Sequence, residues 1–210
     1  MIETIENLFS ALQSSGFVTN LEVEPPLREV PSHIAEIPLP TQLIEFYHNV
    51  AGRIHGRYCR SLQPEDQDRF GASFLGDQLI GGPQLFSPDE LISTKIEMLR
   101  WALESWVVED ADERMCWTLS IPFAAMANGD YLAFDEYEQV VYLDSDGESF
   151  ILEADFGEFW EKWERLFFIG PELWMFEPFW SEYGLIIGNL ENVARFREVF
   201  QSLLEPSPIS

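Results

Sequence analysis

Four segments decide the fold: Ile121-Pro122-Phe123-Ala124, Tyr131-Leu132-Ala133-Phe134, Gln139-Val140-Val141-Tyr142-Leu143 and Ser149-Phe150-Ile151-Leu152. The last three are short, evenly spaced and rich in β-branched and aromatic residues. Asn128-Gly129, Asp135-Glu136-Tyr137-Glu138 and Asp144-Ser145-Asp146-Gly147 punctuate them. Connections this short cannot carry a parallel crossover, so the spacing predicts an antiparallel meander over 117–152. The period changes on either side. Ser87-Pro88-Asp89-Glu90 opens a helix, with Ser as cap, Pro in the first turn and Glu90 reaching back to the cap. Ile92, Ile96, Leu99, Leu103 and Trp106 follow at steps of four and three, which predicts that this stripe is buried. Downstream, Asp155-Phe156-Gly157-Glu158 caps a helix over about 155–168. Its Phe156, Phe159, Trp160, Trp163 and Phe167 share one face, and Gly170-Pro171 stops it. The expected core includes Ile96, Leu99, Leu103, Phe134, Val141, Phe159 and Trp163.

Outward from this centre the signals thin. Ile2, Ile5, Phe9 and Leu12 make one face of an N-terminal helix that Gly16 can end. Five prolines between residues 20 and 40 rule out a long helix there and read as an ordered connector. Pro40 starts a helix with Leu43, Tyr47 and Val50 on one face and Gly52 at its end. Glycines at 71, 76, 81 and 82 argue for turns between short strands over 53–86. Residues 171–188 read as irregular, with Trp174, Phe176, Phe179, Trp180 and Tyr183 covering one side of the core. Asn189 caps a last helix with Val193, Phe196, Phe200 and Leu203 inward. There is no internal repeat.

The 210 residues carry 37 acids against 12 Lys and Arg, a formal net charge of −25. This excludes the broad basic footprint of a direct nucleic-acid binder. Residues 104–164 hold seventeen acids and two bases, so the imbalance is concentrated there. The acids alternate with Trp, Phe, Val and Leu, as on the exposed face of a folded element. No apolar run reaches the roughly 18 residues of a membrane helix. The acidic start, Met1-Ile2-Glu3-Thr4-Ile5-Glu6, does not read as a secretory signal. Cys59 and Cys116 lack CxxC spacing and read as two reduced thiols. The expected location is cytoplasmic.

The order of these elements resembles the SUKH superfamily of cell-wall assembly regulators and bacterial toxin-immunity proteins. The resemblance rests on Leu39-Pro40, Ile44-Glu45-Phe46-Tyr47 and the closing Gly52, followed by the capped helix. It continues through Ile121-Pro122-Phe123-Ala124, Asn128-Gly129-Asp130-Tyr131-Leu132-Ala133-Phe134-Asp135, Val140-Val141-Tyr142-Leu143-Asp144, Asp146-Gly147 and Phe156-Gly157-Glu158-Phe159-Trp160. It covers about 38–168 and is most specific over 121–160. It implies an α+β domain in which a twisted, mostly antiparallel sheet packs against helices. One domain over 1–210 is expected, with an N-terminal helix and connector over 1–37 and an aromatic segment and helix over 171–205. The resemblance also implies a non-enzymatic protein-binding role, in its specific form an immunity protein blocking a toxin domain such as a basic nuclease. A regulatory or scaffolding protein of the same fold is the alternative.

The residues offer no catalytic, cofactor or metal motif. Counted from Asp144, the calcium-loop pattern misplaces its Gly, so Asp144-Gly147 reads as a hairpin turn. His55 and Cys59 lie four apart without a third group, and His33, His48 and His55 lack metal-ligand spacing. Gly81-Gly82-Pro83 lacks the Lys-Ser/Thr of a phosphate loop. Paired carboxylates are plentiful, but nothing in the sequence sets two of them across a cleft. A basic island at Arg53, His55, Arg57, Arg60 and Arg69 stands out against the acid. The candidate partner-binding residues are Glu109, Asp110, Asp112 and Glu113, read as a loop, and Asp135, Glu136 and Glu138 in a hairpin turn. Exposed acids on a rigid scaffold speed encounter with a basic protein.

Overall fold

The structure is a computed structural model describing residues 1–34, 36–71, 76–104, 111–126, 128–170, 173–180 and 191–205. In chain order the elements are α1 (Ile2–Ser14), β1 (Val18–Glu24), β2 (His33–Ile34), β3 (Ile37–Pro38), α2 (Thr41–Asn49), β4 (Arg53–Ser61), α3 (Pro64–Phe70), β5 (Gln78–Gly81) and β6 (Gln84–Leu85). There follow α4 (Pro88–Glu104), α5 (Ala111–Leu119), β7 (Ile121–Ala125), β8 (Tyr131–Phe134), β9 (Val140–Leu143), β10 (Ser149–Glu153), α6 (Phe156–Arg165), α7 (Leu173–Phe176), a 3₁₀ turn (Glu177–Phe179) and α8 (Glu191–Leu204). The chain divides into two compact units: Met1–Glu22, His55–Pro83 and Glu161–Ser210 in one, Val23–Ile54 and Gln84–Trp160 in the other.

The second unit holds the expected meander. Its sheet has the order β10-β9-β8-β7, and each neighbouring pair is antiparallel. The strands begin at Ile121 rather than 117, because Trp117–Leu119 close α5. Both faces of the sheet are covered, which explains why β9 reads as an unbroken apolar run rather than an alternating one. On one face Ala133, Val141 and Leu143 pack with Met98, Ala102 and Trp117. On the other, Phe123 and Phe134 meet Phe156 ring to ring, and Phe46 packs on Phe156 and Trp160.

The capping box is present: Ser87 N–H donates to Glu90 Oε2 at 2.8 Å, and Glu90 N–H donates to Ser87 Oγ at 3.3 Å. Burial alone would raise the Glu90 carboxyl. The Ser87 amide and the Arg53 guanidinium, at 2.9 Å, hold it below its ordinary value.

The helix behind this cap turns a different face inward than its apolar stripe predicts. Leu91, Lys95, Met98 and Ala102 are buried, whereas Ile92, Ile96 and Leu103 are 37%, 48% and 65% exposed and Leu99 is half-buried. Trp106 lies outside the described residues. The cause is Lys95. Its Nζ donates to the carbonyls of Trp117 (3.4 Å), Thr118 (2.8 Å) and Ser120, the unpaired acceptors at the end of α5. That anchorage fixes the rotation of α4, with small Ala102 and the lysine stem fitting against the sheet. Met98→Ala should therefore cost about 2 kcal/mol in chemical denaturation, whereas Leu103→Ala should stay within about 0.5 kcal/mol.

In the first unit, Ile5, Phe9 and Leu12 of α1 are buried as expected, as are Val193, Phe196, Phe200 and Leu203 of α8. Buried Tyr58 meets Phe9, Phe17 and Phe200 edge-on and donates its hydroxyl to the Phe167 carbonyl at 2.8 Å. Gly81 lies against that tyrosine: a Cβ there would stand 2.3 Å from the hydroxyl, which accounts for one of the paired glycines by close packing. Residues 20–24 belong to a strand, with Thr19, Leu21 and Val23 half-buried at period two, so the connector is shorter than the prolines suggest. Helix α6 ends at Arg165 rather than about 168, because Phe167 and Phe168 adopt φ of 54° and 55°. Residues 173–179 are helical rather than irregular, with Phe176 and Phe179 buried and Trp174 and Trp180 half-buried. Asn189 and Tyr183 lie outside the described residues.

Several of the few cations serve helix C-termini, where the backbone is negative. Arg60 donates to Ser15 O and Leu203 O, Arg195 to Asp68 O and Arg69 O, and Arg197 to Arg165 O. Arg69 reaches Asp66 and Ser202. The basic island thus has structural partners at Arg53, Arg60 and Arg69.

An acidic groove with an apolar floor

Pro40 leads into α2 with φ −53° and ψ 134° and has no side chain to cap it. The cap comes from the β8–β9 turn: Thr41 N–H donates to Glu138 Oε2 at 3.2 Å, and Thr41 Oγ1 lies 3.5 Å from Glu138 Oε1. Glu138 sits at φ 60°, which aims it back toward the helix. Asp135 sets the same turn, its Oδ1 accepting from Tyr137 N–H at 2.9 Å and Gln139 N–H at 2.8 Å. Opposite stands the β2–β3 hairpin, with Glu36 at φ 70° in its turn.

Between these turns lies a groove of about 350 Å³. Ile37, Pro38, Pro40, Leu119 and Ile121 form apolar lining, and Glu36, Asp135, Glu136 and Glu138 supply four carboxylates. Glu36 and Glu136 are exposed, and Tyr137 between the turn acids is 74% exposed. Among the described residues, no Ser, Cys, His or Lys lines the groove. An arginine or lysine side chain suits it, the stem against Ile and Pro and the charged head among the carboxylates. Among the described residues no group of three or more His, Cys, Asp or Glu is placed to hold a metal ion.

The structure thus brings together Asp135, Glu136 and Glu138 and adds Glu36 from a distant segment. Asp112 and Glu113 stand apart from the groove lining, in the first turn of α5 rather than in a loop. Glu113 accepts from Ser149 Oγ at 2.6 Å. Glu109 and Asp110 lie outside the described residues. Asp144-Gly147 is a turn, with Gly147 at φ 100° and its N–H donating to Asp144 O at 2.8 Å. His55 and Cys59 lie on one strand, and both cysteines are free thiols.

The sequence reading missed Glu36, whose place across the groove depends on a two-residue strand pair. It also missed the work of Asp130. This carboxylate is buried; it accepts from Tyr142 Oη, Asn128 Nδ2 and, at 2.8 Å, Ser145 N–H. Burial, then the Asp130 bond, pushes the Tyr142 hydroxyl far above its ordinary range. One buried acid therefore ties the turn after β7 to the turn after β9, which gives Asn128-Gly129-Asp130 its physical reason.

The SMI1 / KNR4 family (SUKH-1) model matches residues 32–162, more than half of the chain. The chain belongs to this family. The match contains the whole meander, Lys95, Asp130 and every residue lining the groove. The SUKH resemblance and the α+β architecture both stand on it. No curated protein and no solved structure matches the chain. No described helix is long and apolar enough to cross a membrane.

Proposed function

We propose that this SUKH-family protein is a non-enzymatic, cytoplasmic binding module that neutralises a toxin domain, a basic nuclease being the class that fits best. The observation that carries the reading is the groove: four carboxylates around an apolar lining, in a chain of net charge −25. Exposed charges of one sign guide a basic surface to the site, and an apolar lining gives the arriving side chain something to bury against. Asp135 and Glu138 shape the groove through backbone bonds, and Glu36 and Glu136 present their charge to the partner. One domain of SUKH type over 1–210 would carry this site, with the 171–205 region as an addition to it.

The test is to express the product of a toxin gene neighbouring this one, purify its toxin domain, and assay it with increasing amounts of this protein. Inhibition that saturates at a fixed stoichiometry is expected. Loss of that inhibition in Glu36→Lys/Glu136→Lys, with an unchanged melting temperature, would assign it to the groove. A partner that is bound but whose activity is unaffected would contradict neutralisation and favour a scaffolding role.

A further inference from the structure

Two turns beside the groove hold glutamates at left-handed backbone: Glu36 at φ 70° and Glu138 at φ 60°. Glycine or asparagine adopts this conformation at lower cost, and a longer side chain is strained there. For Glu138 the fold supplies the reason, because its carboxylate caps α2 through Thr41. Glu36 has no such reason. It is exposed, and among the described residues its carboxylate makes no hydrogen bond or ion pair. Glu136 is likewise exposed and unpaired. The lining thus carries four carboxylates and, among the described residues, no cation that pairs with any of them. Like charges gathered without a countercharge raise the energy of the free protein, and a cation brought by a partner relieves it.

We infer that the groove reads arginine: one arginine side chain of a protein partner lays its stem on Ile37, Pro38 and Ile121, and its guanidinium bridges Glu36 and Glu136. The inference rests on the protein-binding reading of this groove and names the residue type that the groove selects. Geometry favours arginine over lysine. The two unpaired acids come from different turns, β2–β3 and β8–β9. A guanidinium carries five N–H donors in a rigid planar fork and can hold two carboxylates in different directions, whereas an ammonium is a compact point charge. Hydration favours the same choice. Guanidinium is more weakly hydrated than ammonium, so it loses less on leaving water for a groove lined by Ile and Pro. Asp135 and Glu138 are already fixed by backbone N–H groups and add their charge without moving.

The experiment titrates the isotope-labelled full chain with N-acetyl-arginine amide, N-acetyl-lysine amide and N-acetyl-citrulline amide, the last a neutral isostere of the first. Backbone amide signals are followed by NMR. The arginine amide should shift the signals of Glu36, Ile37, Glu136 and Tyr137, and should bind about fivefold or more tightly than the lysine amide. The citrulline amide should shift none of them. Glu36→Asn/Glu136→Gln should weaken arginine binding about tenfold and erase its advantage over lysine. Glu36→Asn alone should melt at or above the wild type, because asparagine accepts the left-handed backbone more readily. Equal or tighter binding of the lysine amide would overturn the inference, since the groove would then read charge alone. Arginine shifts that are absent, spread over the acidic surface, or unchanged in the double variant would overturn it too. So would a fall in the melting temperature of Glu36→Asn, because the fold itself would then be using that side chain. The two readings fail separately. Arginine selected in the groove while the toxin domain stays active sinks neutralisation alone, and neutralisation with lysine bound as well as arginine sinks this inference alone.

Discussion

Asp130→Ala is expected to destabilise the protein by about 3–5 kcal/mol, the range for breaking a buried charged network by removing one member. The carboxylate is buried, and its loss takes one acceptor from the buried Tyr142 hydroxyl. The Ser145 N–H and the Asn128 amide lose theirs at the same time. An unsatisfied buried donor costs about 1–3 kcal/mol. Tyr142→Phe removes one donor and leaves Asp130 with two, so it should cost about 1 kcal/mol. Urea unfolding of the two variants gives the comparison directly. A shift below about 1 kcal/mol for Asp130→Ala, roughly the value of one lost hydrogen bond, would show that the two turns are held by something else.

Lys95→Met should cost about 2 kcal/mol near neutral pH, because the methionine keeps the stem's volume and removes the donor that bonds the Thr118 and Ser120 carbonyls, with Trp117 O at 3.4 Å. Burial lowers the Lys95 ammonium from 10.5 to about 7, and the Cys116 thiol partly opposes that shift. Between these values the unfolded chain binds more protons than the folded one, so the lysine's contribution to stability rises with pH from about 7 toward 10.5. The wild type should therefore gain on Lys95→Met between pH 7 and pH 9, by about 2 kcal/mol at most. Melting temperatures of both proteins at the two pH values measure this difference. A gap that closes with rising pH would mean that the folded state holds the charged form more firmly than the unfolded state does.

The meander was legible because alternating turn residues and β-rich runs are local signals. Asp144-Gly147 and Ser87-Glu90 could be read for the same reason, since each motif satisfies its own backbone. The rotation of α4 was not legible. Ile92, Ile96, Leu99 and Leu103 make the better apolar stripe, and only the position of the α5 carbonyls turns Lys95 inward, a tertiary effect that outweighs periodicity. Asp130 could be seen in the motif but not its burial, which depends on Tyr142 arriving from the next strand. The groove was half legible. Asp135, Glu136 and Glu138 lie in one turn that the sequence marks, whereas Glu36 comes from about a hundred residues earlier through a hairpin too short for a pattern. What the sequence could not separate is the work of these acids: Asp135 and Glu138 are engaged by backbone N–H groups, and Glu36 and Glu136 are exposed.

That division supplies the most direct test of the central claim, that the groove guides a basic protein partner. Association of a basic partner domain with the wild type and with Glu36→Lys/Glu136→Lys is measured by stopped flow at low and at physiological salt. Exposed charges are screened over about 8 Å at physiological ionic strength, so the wild-type rate should fall as salt rises, and the variant should be slower at both and less sensitive to salt. Its melting temperature should stay that of the wild type, since both residues are exposed. Equal association rates for the two proteins, unchanged by salt, would contradict the account.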